Sequence, residues 1–312
     1  MAEFKLKFGE GYIPLNIPES QPLTTVNGKE IPALQSPREK VREVLDNPVD
    51  SQPLSQIVKG GATVCIIVSD ITRAWINYPS FLPEILNYLN DAGTPDEHIY
   101  LLTALGTHRH HTQAELVALL GEEVVNRVPV YEHDCKDKNQ LVRLGVTSRG
   151  TEACVNRKAL EANTLIITGG IVYHLFAGYG GGRKSIMPGI CGWDTIQQNH
   201  NLALAPDSFG INPQASAGLL EPNPVHGDMA EICDMVNPQF LINVIPGPNG
   251  GLSDIVAGKP AEAWLAGCRR IADIFGIPLE KRGDLVIASA GGYPKDINFY
   301  QTVKTIGNAH QA

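Results

Sequence analysis

Five short apolar runs punctuate the chain and constrain its fold more than any other feature. They are TVCIIVS (63–69), IYLLTALG (99–106), TLIITGG (164–170), QFLINVIPG (239–247) and DLVIASAGG (284–292). Each is rich in Val, Ile and Leu and flat in hydrophobicity. Such runs suit strands buried on both faces of a mainly parallel sheet. Between them lie the helical patterns PSFLPEILNYLNDAG (79–93), TQAELVALLGEEVVNR (112–127) and PAEAWLAGCRRIADIFG (260–276). Alternating strand and helix predicts an α/β fold, with a largely parallel sheet and flanking helices.

Local signals sharpen the boundaries. Thr112 and Glu115 have the spacing of a capping box. Asp91-Ala92-Gly93 closes the preceding helix with a residue that tolerates positive φ. Four histidine-loop residues, His108, Arg109, His110 and His111, therefore lie between a strand and a capped helix. Near the N-terminus, KLKFGEGYIPLNIPE reads as an antiparallel hairpin or an edge strand, and QSPREKVREVLDNP as one short helix. The Gly- and Pro-rich stretch 210–231 reads as a loop or a short helical excursion. The last segment reads as a strand, a loop and the start of a helix. The expected division is an N-terminal α/β cofactor-binding domain over 1–280 and the beginning of a second α/β domain over 281–312, cut short by the chain end.

Composition removes some function classes. The net charge is −8, with no Lys/Arg cluster, which argues against nucleic-acid and anionic-membrane partners. No apolar run approaches the ~20 residues that span a bilayer. The N-terminus MAEFKLKFGEGYIPL lacks the basic and apolar regions of a secretory signal. The six cysteines are scattered without a CxxC pair, which reads as reduced thiols in a cytoplasmic protein.

In open α/β sheets ligands bind beyond the carboxyl ends of the strands. Four of the apolar runs are followed at once by unusual polar residues. SDITR brings Asp70, Thr72 and Arg73. GTHRHHT brings His108. GGIVYHLFAGYGGGRKSIMPG brings His174 and Lys184. GGYPKDINFYQTVK brings Lys295, Tyr300, Gln301 and Lys304. A parallel sheet gathers such segments on one edge. Gly180, Gly181 and Gly182 allow positive φ and close approach of backbone N–H groups to a phosphate. A following lysine either neutralises that phosphate or reacts covalently. The spacing GGGRKS is neither a Walker A loop nor GxGxxG.

Of nine histidines, His98, His133, His226 and His310 have no special context and read as surface or satisfied core. His108 and His174 sit just past strand ends, and His200 follows a polar helical stretch. Histidine at such positions serves as general acid/base or as a metal ligand. Arg73 and Lys304 are candidates for gripping a carboxylate. Asp70 is placed to orient Arg73 or a cofactor hydroxyl.

SDITR, GTHRHHT, GIVYHLFAGYGGGRKSIMPGI, the Asn199-His200 pair and GGYPKDINFYQTVK resemble, in order and spacing, the nickel-dependent lactate racemase family. The resemblance runs from about residue 5 to the end, and 169–200 is its most specific block. It implies a nickel pincer nucleotide, a pyridinium mononucleotide whose two thio-acid groups and one ring carbon hold Ni(II), covalently linked to Lys184. It implies His200 as a nickel ligand and His108 and His174 as acid/base partners. Arg73, Tyr300, Gln301 and Lys304 match substrate positions. Asp70, Thr72 and Gly180–Gly182 fall on the cofactor side. The implied activity is racemisation or epimerisation of lactate or a related 2-hydroxy acid by proton-coupled hydride transfer, with cofactor-synthesis proteins as partners. The chain departs from the family pattern at Arg73-Ala74-Trp75, where a proline is usual after the Thr-Arg pair, and at His110-His111. Two other readings compete. A nicotinamide-dependent dehydrogenase would need a GxGxxG turn after the first strand, where SDITR stands instead. A non-catalytic nucleotide- or nickel-binding relative would have no use for His108 and His174.

Overall fold

The computed structural model describes residues 1–26, 29, 31–247, 250–293, 296 and 299–311, without the side chains of 300, 301, 304, 308 and 311. The chain divides into two compact units, residues 30–274 and residues 1–29 with 275–312. The sequence division at 280/281 is drawn differently, because no local signal ties an N-terminal hairpin to a C-terminal segment.

The large unit is built on a six-stranded sheet. Its strands are β1 (Val64–Ser69), β2 (Ile99–Ala104), β3 (Val130–Glu132), β4 (Thr164–Gly170), β5 (Phe240–Pro246) and β6 (Leu252–Gly258), in the order β6-β5-β4-β1-β2-β3. All neighbours pair parallel except β5 with β6. Residues in alternation face opposite cores. Ile67, Leu102, Leu165 and Ile167 pack with Met187, Ile190, Ile232 and Ile271 on one face. Val64, Ile66, Leu101 and Ile166 pack with Leu82, Ile85, Leu86 and Leu89 on the other. Burial on both sides explains the flat hydrophobicity of these runs. Truncating one such side chain to alanine costs about 2–5 kcal/mol.

The helices that cover the sheet include α1 (Pro37–Asp46), α2 (Leu82–Asp91), α3 (Gln113–Leu120), α4 (Trp193–Asn201), α5 (Pro224–Val236) and α6 (Pro260–Phe275). The capping box at Thr112 and Glu115 forms in both directions. The helical pattern 112–127 breaks at Gly121, whose φ is +88°, and a second short helix, Glu122–Arg127, follows. Within 210–231, a helix begins at Pro224. Among the described residues, no helix is long and apolar enough to cross a membrane, and all six cysteines are free thiols.

The small unit holds an antiparallel hairpin, Ala2–Phe8 with Gly11–Ile17, and the helix Phe299–Gln311. The run 284–292 does not form the expected strand. A parallel strand draws hydrogen bonds from its neighbours along its length. Among the described residues the segment is joined to the hairpin at points, through Ser289 to the Lys7 carbonyl and, just past the run, through the Tyr293 N–H to the Gly9 carbonyl. Leu285, Val286 and Ile287 stay exposed.

Candidate active site

The carboxyl ends of β1, β2 and β4 carry three of the four polar segments singled out in the sequence. These ends are fixed by a buried network. Ser69 N–H donates to the Tyr78 hydroxyl at 2.8 Å, and that hydroxyl lies 2.8 Å from Thr168 Oγ1. Thr168 Oγ1 donates to the Ile67 carbonyl at 2.7 Å. Those roles leave the Tyr78 hydroxyl as donor to Thr168. The network crosses from β1 to β4 and sets the register from which both loops start.

After β1, the chain turns into a 3-10 segment, Ile71–Ile76, with Asp70 at its N-cap position. Asp70 is buried. Its Oδ1 accepts from the Thr72 hydroxyl at 2.6 Å, and its Oδ2 pairs with His108 Nδ1. Burial alone would raise the Asp70 carboxyl. The His108 and Thr72 hydrogen bonds and the nearby His108 and Arg73 charges outweigh it and hold the group below the usual carboxylate range. An ionised Asp70 makes His108 Nδ1 the donor, so Nε2 is the ring nitrogen left for a substrate. Arg73 Nη1 donates to Thr72 Oγ1 at 2.9 Å. Asp70 thus reaches Arg73 by charge and through Thr72, while its direct hydrogen-bond partners are Thr72 and His108.

The His108 loop is tied on both sides. Gly106 N–H donates to the Gly189 carbonyl at 2.9 Å, beyond the glycine loop. Arg109 is turned away into a bidentate pair with Glu115, at 2.8 and 2.6 Å.

The segment after β4 is packed tightly. Gly180 N–H is taken by the Val172 carbonyl (2.7 Å) and Gly182 N–H by Asn243 Oδ1 (2.8 Å). Those two donors are used inside the protein, so the glycines serve close packing. A Cβ on Gly182, at φ +53°, would lie 2.6 Å from the Trp264 ring, and one on Gly181, at φ +69°, would lie 2.6 Å from Asn243 Oδ1. Trp264 Nε1 also donates to the Gly180 carbonyl at 2.8 Å. Neither Asn243 nor Trp264 stood out in the sequence. Asn243 is the one strongly polar side chain within β5, FLINVIP, a signal that a buried amide has a partner to serve.

Arg183 is buried and donates to the Ala177 (2.7 Å) and Tyr179 (3.3 Å) carbonyls. Its guanidinium carbon lies 4.0 Å from the Trp264 ring centre. It has no carboxylate partner among the described residues, and burial pushes it down to about 9. The neighbouring Lys184 is partly buried, and its amine makes no hydrogen bond or ion pair among the described residues. Desolvation, with the Arg183 and Arg73 charges, pushes it down to about 7. At neutral pH a large share of this amine is therefore uncharged, the state in which lysine is nucleophilic.

His174 Nδ1 accepts from the Phe176 and Ala177 N–H groups, at 3.3 and 3.1 Å. Its proton is therefore on Nε2. Desolvation, then the charges of Lys184, Arg183, Arg73 and His200, push it down to about 2, so it stays neutral. His200, on α4, donates from Nδ1 to the Ile196 carbonyl at 2.9 Å, which leaves Nε2 free. Desolvation and Lys184 lower it as well. A ring fixed through Nδ1–H to a carbonyl is the usual arrangement of an imidazole metal ligand.

Hydrogen bonds thus link His108, Asp70, Thr72 and Arg73. Electrostatic range links Arg73, His174, Lys184 and His200. Arg73 belongs to both sets. Lys295 and the side chains of Tyr300, Gln301 and Lys304 lie outside the described residues. His133 is satisfied core, with its ring bonded to Asn156 and to the Cys191 carbonyl. His226 stacks on Trp264.

The family of the lactate racemase N-terminal domain matches residues 8–210. The lactate racemase of Thermoanaerobacterium thermosaccharolyticum is 33% identical over 316 residues, covering 99% of this chain and 72% of that protein. The lactate racemase of Lactiplantibacillus plantarum is 36% identical over 271 residues, covering 86% of this chain and 62% of that one. The structure of the T. thermosaccharolyticum lactate racemase apoprotein superposes with a TM-score of 0.86 at 31% identity, over 98% of this chain and 70% of that chain. These relatives carry the name of an isomerase activity, and the chain belongs to the lactate racemase family.

Proposed function

We propose that the chain is a racemase or epimerase of lactate or a related 2-hydroxy acid, working with a nickel pincer nucleotide tethered to Lys184. The observation that carries this reading is the hydrogen-bonded chain His108–Asp70–Thr72–Arg73 meeting, through the Arg73 charge, the group of His174, Lys184 and His200. The residues fit the cofactor. Lys184 offers an amine of lowered basicity for a covalent bond. His200 offers a free Nε2 of fixed tautomer. Among the described residues no three His, Cys, Asp or Glu side chains group as metal ligands, so nickel at His200 would take its other donors from non-protein atoms, as a pincer provides. The chemistry such a group supplies when bound is reversible acceptance of the C2 hydride.

The protein's part is to place substrate and protons. Arg73 grips the substrate carboxylate with its planar fork, braced by Thr72 on Asp70. His108 Nε2 takes the hydroxyl proton of one enantiomer, and Asp70 stabilises the resulting imidazolium. His174 starts differently, with a proton already on Nε2, so in that tautomer it gives the substrate oxygen a hydrogen bond and not a proton. To act as base for the other enantiomer its ring must carry that proton on Nδ1 instead and break from the Phe176–Ala177 turn, which frees the Nε2 lone pair. Holding the carboxylate while the planar keto acid turns preserves orientation between the half-reactions. Reduced cysteines support a cytoplasmic setting, where the cofactor-synthesis proteins are partners.

The test is to produce the protein beside those synthesis proteins, then measure intact mass, nickel content and loss of optical activity of L-lactate and larger 2-hydroxy acids. An adduct on Lys184, one nickel per chain and racemisation of a 2-hydroxy acid are expected. An unmodified, nickel-free protein, under conditions that load the T. thermosaccharolyticum enzyme, would sink the proposal.

A further inference from the structure

We propose that His111 is a positioning residue that keeps Asp70 available to His108, by taking over a backbone N–H at the start of the 3-10 segment. An aspartate at an N-cap position ordinarily spends its carboxylate on the second or third N–H of the turn, and in this protein an aspartate also takes the N–H of the next residue, as Asp254 does for Ile255 at 2.9 Å. Asp70 occupies an N-cap position and caps none of these N–H groups. The Arg73 N–H is taken by the Asp70 carbonyl at 2.9 Å. The Ile71 N–H is taken by His111 Nε2, also at 2.9 Å. Both Asp70 oxygens are thereby left for Thr72 and His108.

The His111 ring is built for this task. Its side chain is 1% exposed. Because Nε2 accepts, Nδ1 carries the proton, and it donates to Glu132 Oε1 at 2.6 Å. The same oxygen accepts the His111 backbone N–H at 3.0 Å. The other Glu132 oxygen lies 3.0 Å from His110 Nδ1, while Asp134 faces His110 Nε2 at 3.9 Å. Arg109 is engaged by Glu115 and does not compete for Glu132. Burial would raise Glu132, but the His111 and His110 contacts outweigh it and hold it ionised. A line of bonds therefore runs from the end of β3, through the loop after β2, to the loop after β1. It braces three adjacent strand ends. Without the ring, the Ile71 N–H would need another acceptor, and the Asp70 carboxylate is adjacent in sequence. Asp70 engaged there would release His108 Nδ1.

The bracing role stands on the bond network, and its catalytic value rests on reading His108 as a proton acceptor. The measurement is the imidazole nitrogen NMR spectrum of His108 in the cofactor-free protein, which reports the tautomer. Wild type should show the proton on Nδ1. In His111→Asn the short amide keeps the Glu132 contact but falls short of Ile71. In His111→Gln the longer amide reaches Ile71. We expect Asn to shift His108 toward the Nε2–H form and Gln to retain wild-type behaviour. In loaded protein, Asn should lower kcat by roughly 10²-fold, the lower range for loss of a general base, with KM within about twofold, and Gln should restore it. A folded Asn variant with an unchanged His108 tautomer would overturn the proposal. If the tautomers shift as expected but loaded wild type racemises no 2-hydroxy acid, the function falls and the brace stands.

Discussion

The two halves of the site solve the problem of charge in opposite ways. The half made by the loops after β1 and β2 pairs its charges. Asp70 faces His108 and Thr72, Glu132 faces His111 and His110, and Glu115 holds Arg109. The half made by the glycine segment after β4 leaves its cations without carboxylates. Arg183 rests on two carbonyls and an indole face, and Lys184 has no anionic partner among the described residues. Pairing keeps carboxylates ionised and fixes tautomers. Isolation lowers the basicity of lysine and histidine. One half is thus prepared to accept a proton, and the other to keep an amine and an imidazole neutral.

The comparison breaks most visibly at Asp70. Asp70→Asn removes the paired charge while keeping the shape, and turnover should fall roughly 10³- to 10⁴-fold, as when a carboxylate that orients a catalytic histidine becomes an amide. A melting curve close to wild type, measured beside the kinetics, would assign the loss to chemistry. A loss below about tenfold would mean that His108 does not need the pair.

On the glycine side the largest effect is steric. Gly182→Ala must meet Trp264 at 2.6 Å with φ at +53°, and should cost about 2–4 kcal/mol in chemical denaturation. Gly61→Ala is the control. It has a similar positive φ, +79°, but open space around it, and should cost about 1–2 kcal/mol. Equal costs at the two positions would mean that the loop is not packed as described.

The smallest effect sharpens the electrostatic contrast. The rate at which an amine-reactive reagent labels Lys184 in cofactor-free protein, followed by peptide mass spectrometry, should rise with pH through a midpoint near 7. The shift is downward, so the reactive neutral amine predominates above that pH and is lost below it. A midpoint near the ordinary lysine value of about 10.4 would remove the distinction between the halves.

Much of this was legible in the chain. Four of the five apolar runs are sheet strands because burial on two faces leaves a continuous apolar signature. The capping box was readable because both its members are local. What escaped was non-local. β6 reads LSDIVAG, with Ser253 and Asp254 interrupting the apolar pattern at the sheet edge. The run 284–292 has the composition of a strand but pairs with no neighbouring strand among the described residues. Strand ends and the family resemblance are what single out Asp70, His108, His174, Lys184 and His200 in the sequence. The partners that hold the site, Tyr78, His111, Glu132, Asn243 and Trp264, are each distant in sequence from what they hold. His111 was visible only as a departure from the family pattern.

That Arg183 has no carboxylate partner among the described residues has a thermodynamic consequence. Any anion that settles beside Arg73, Arg183 and Lys184 binds the folded chain and not the unfolded one, so occupancy and stability are linked functions. At a hundredfold excess over its dissociation constant such a ligand adds about 2.7 kcal/mol to the folded state. A thermal melt then becomes a titration. The temperature at which this protein unfolds would report how much of its population carries an anion beside these cations, whether or not a single molecule has turned over.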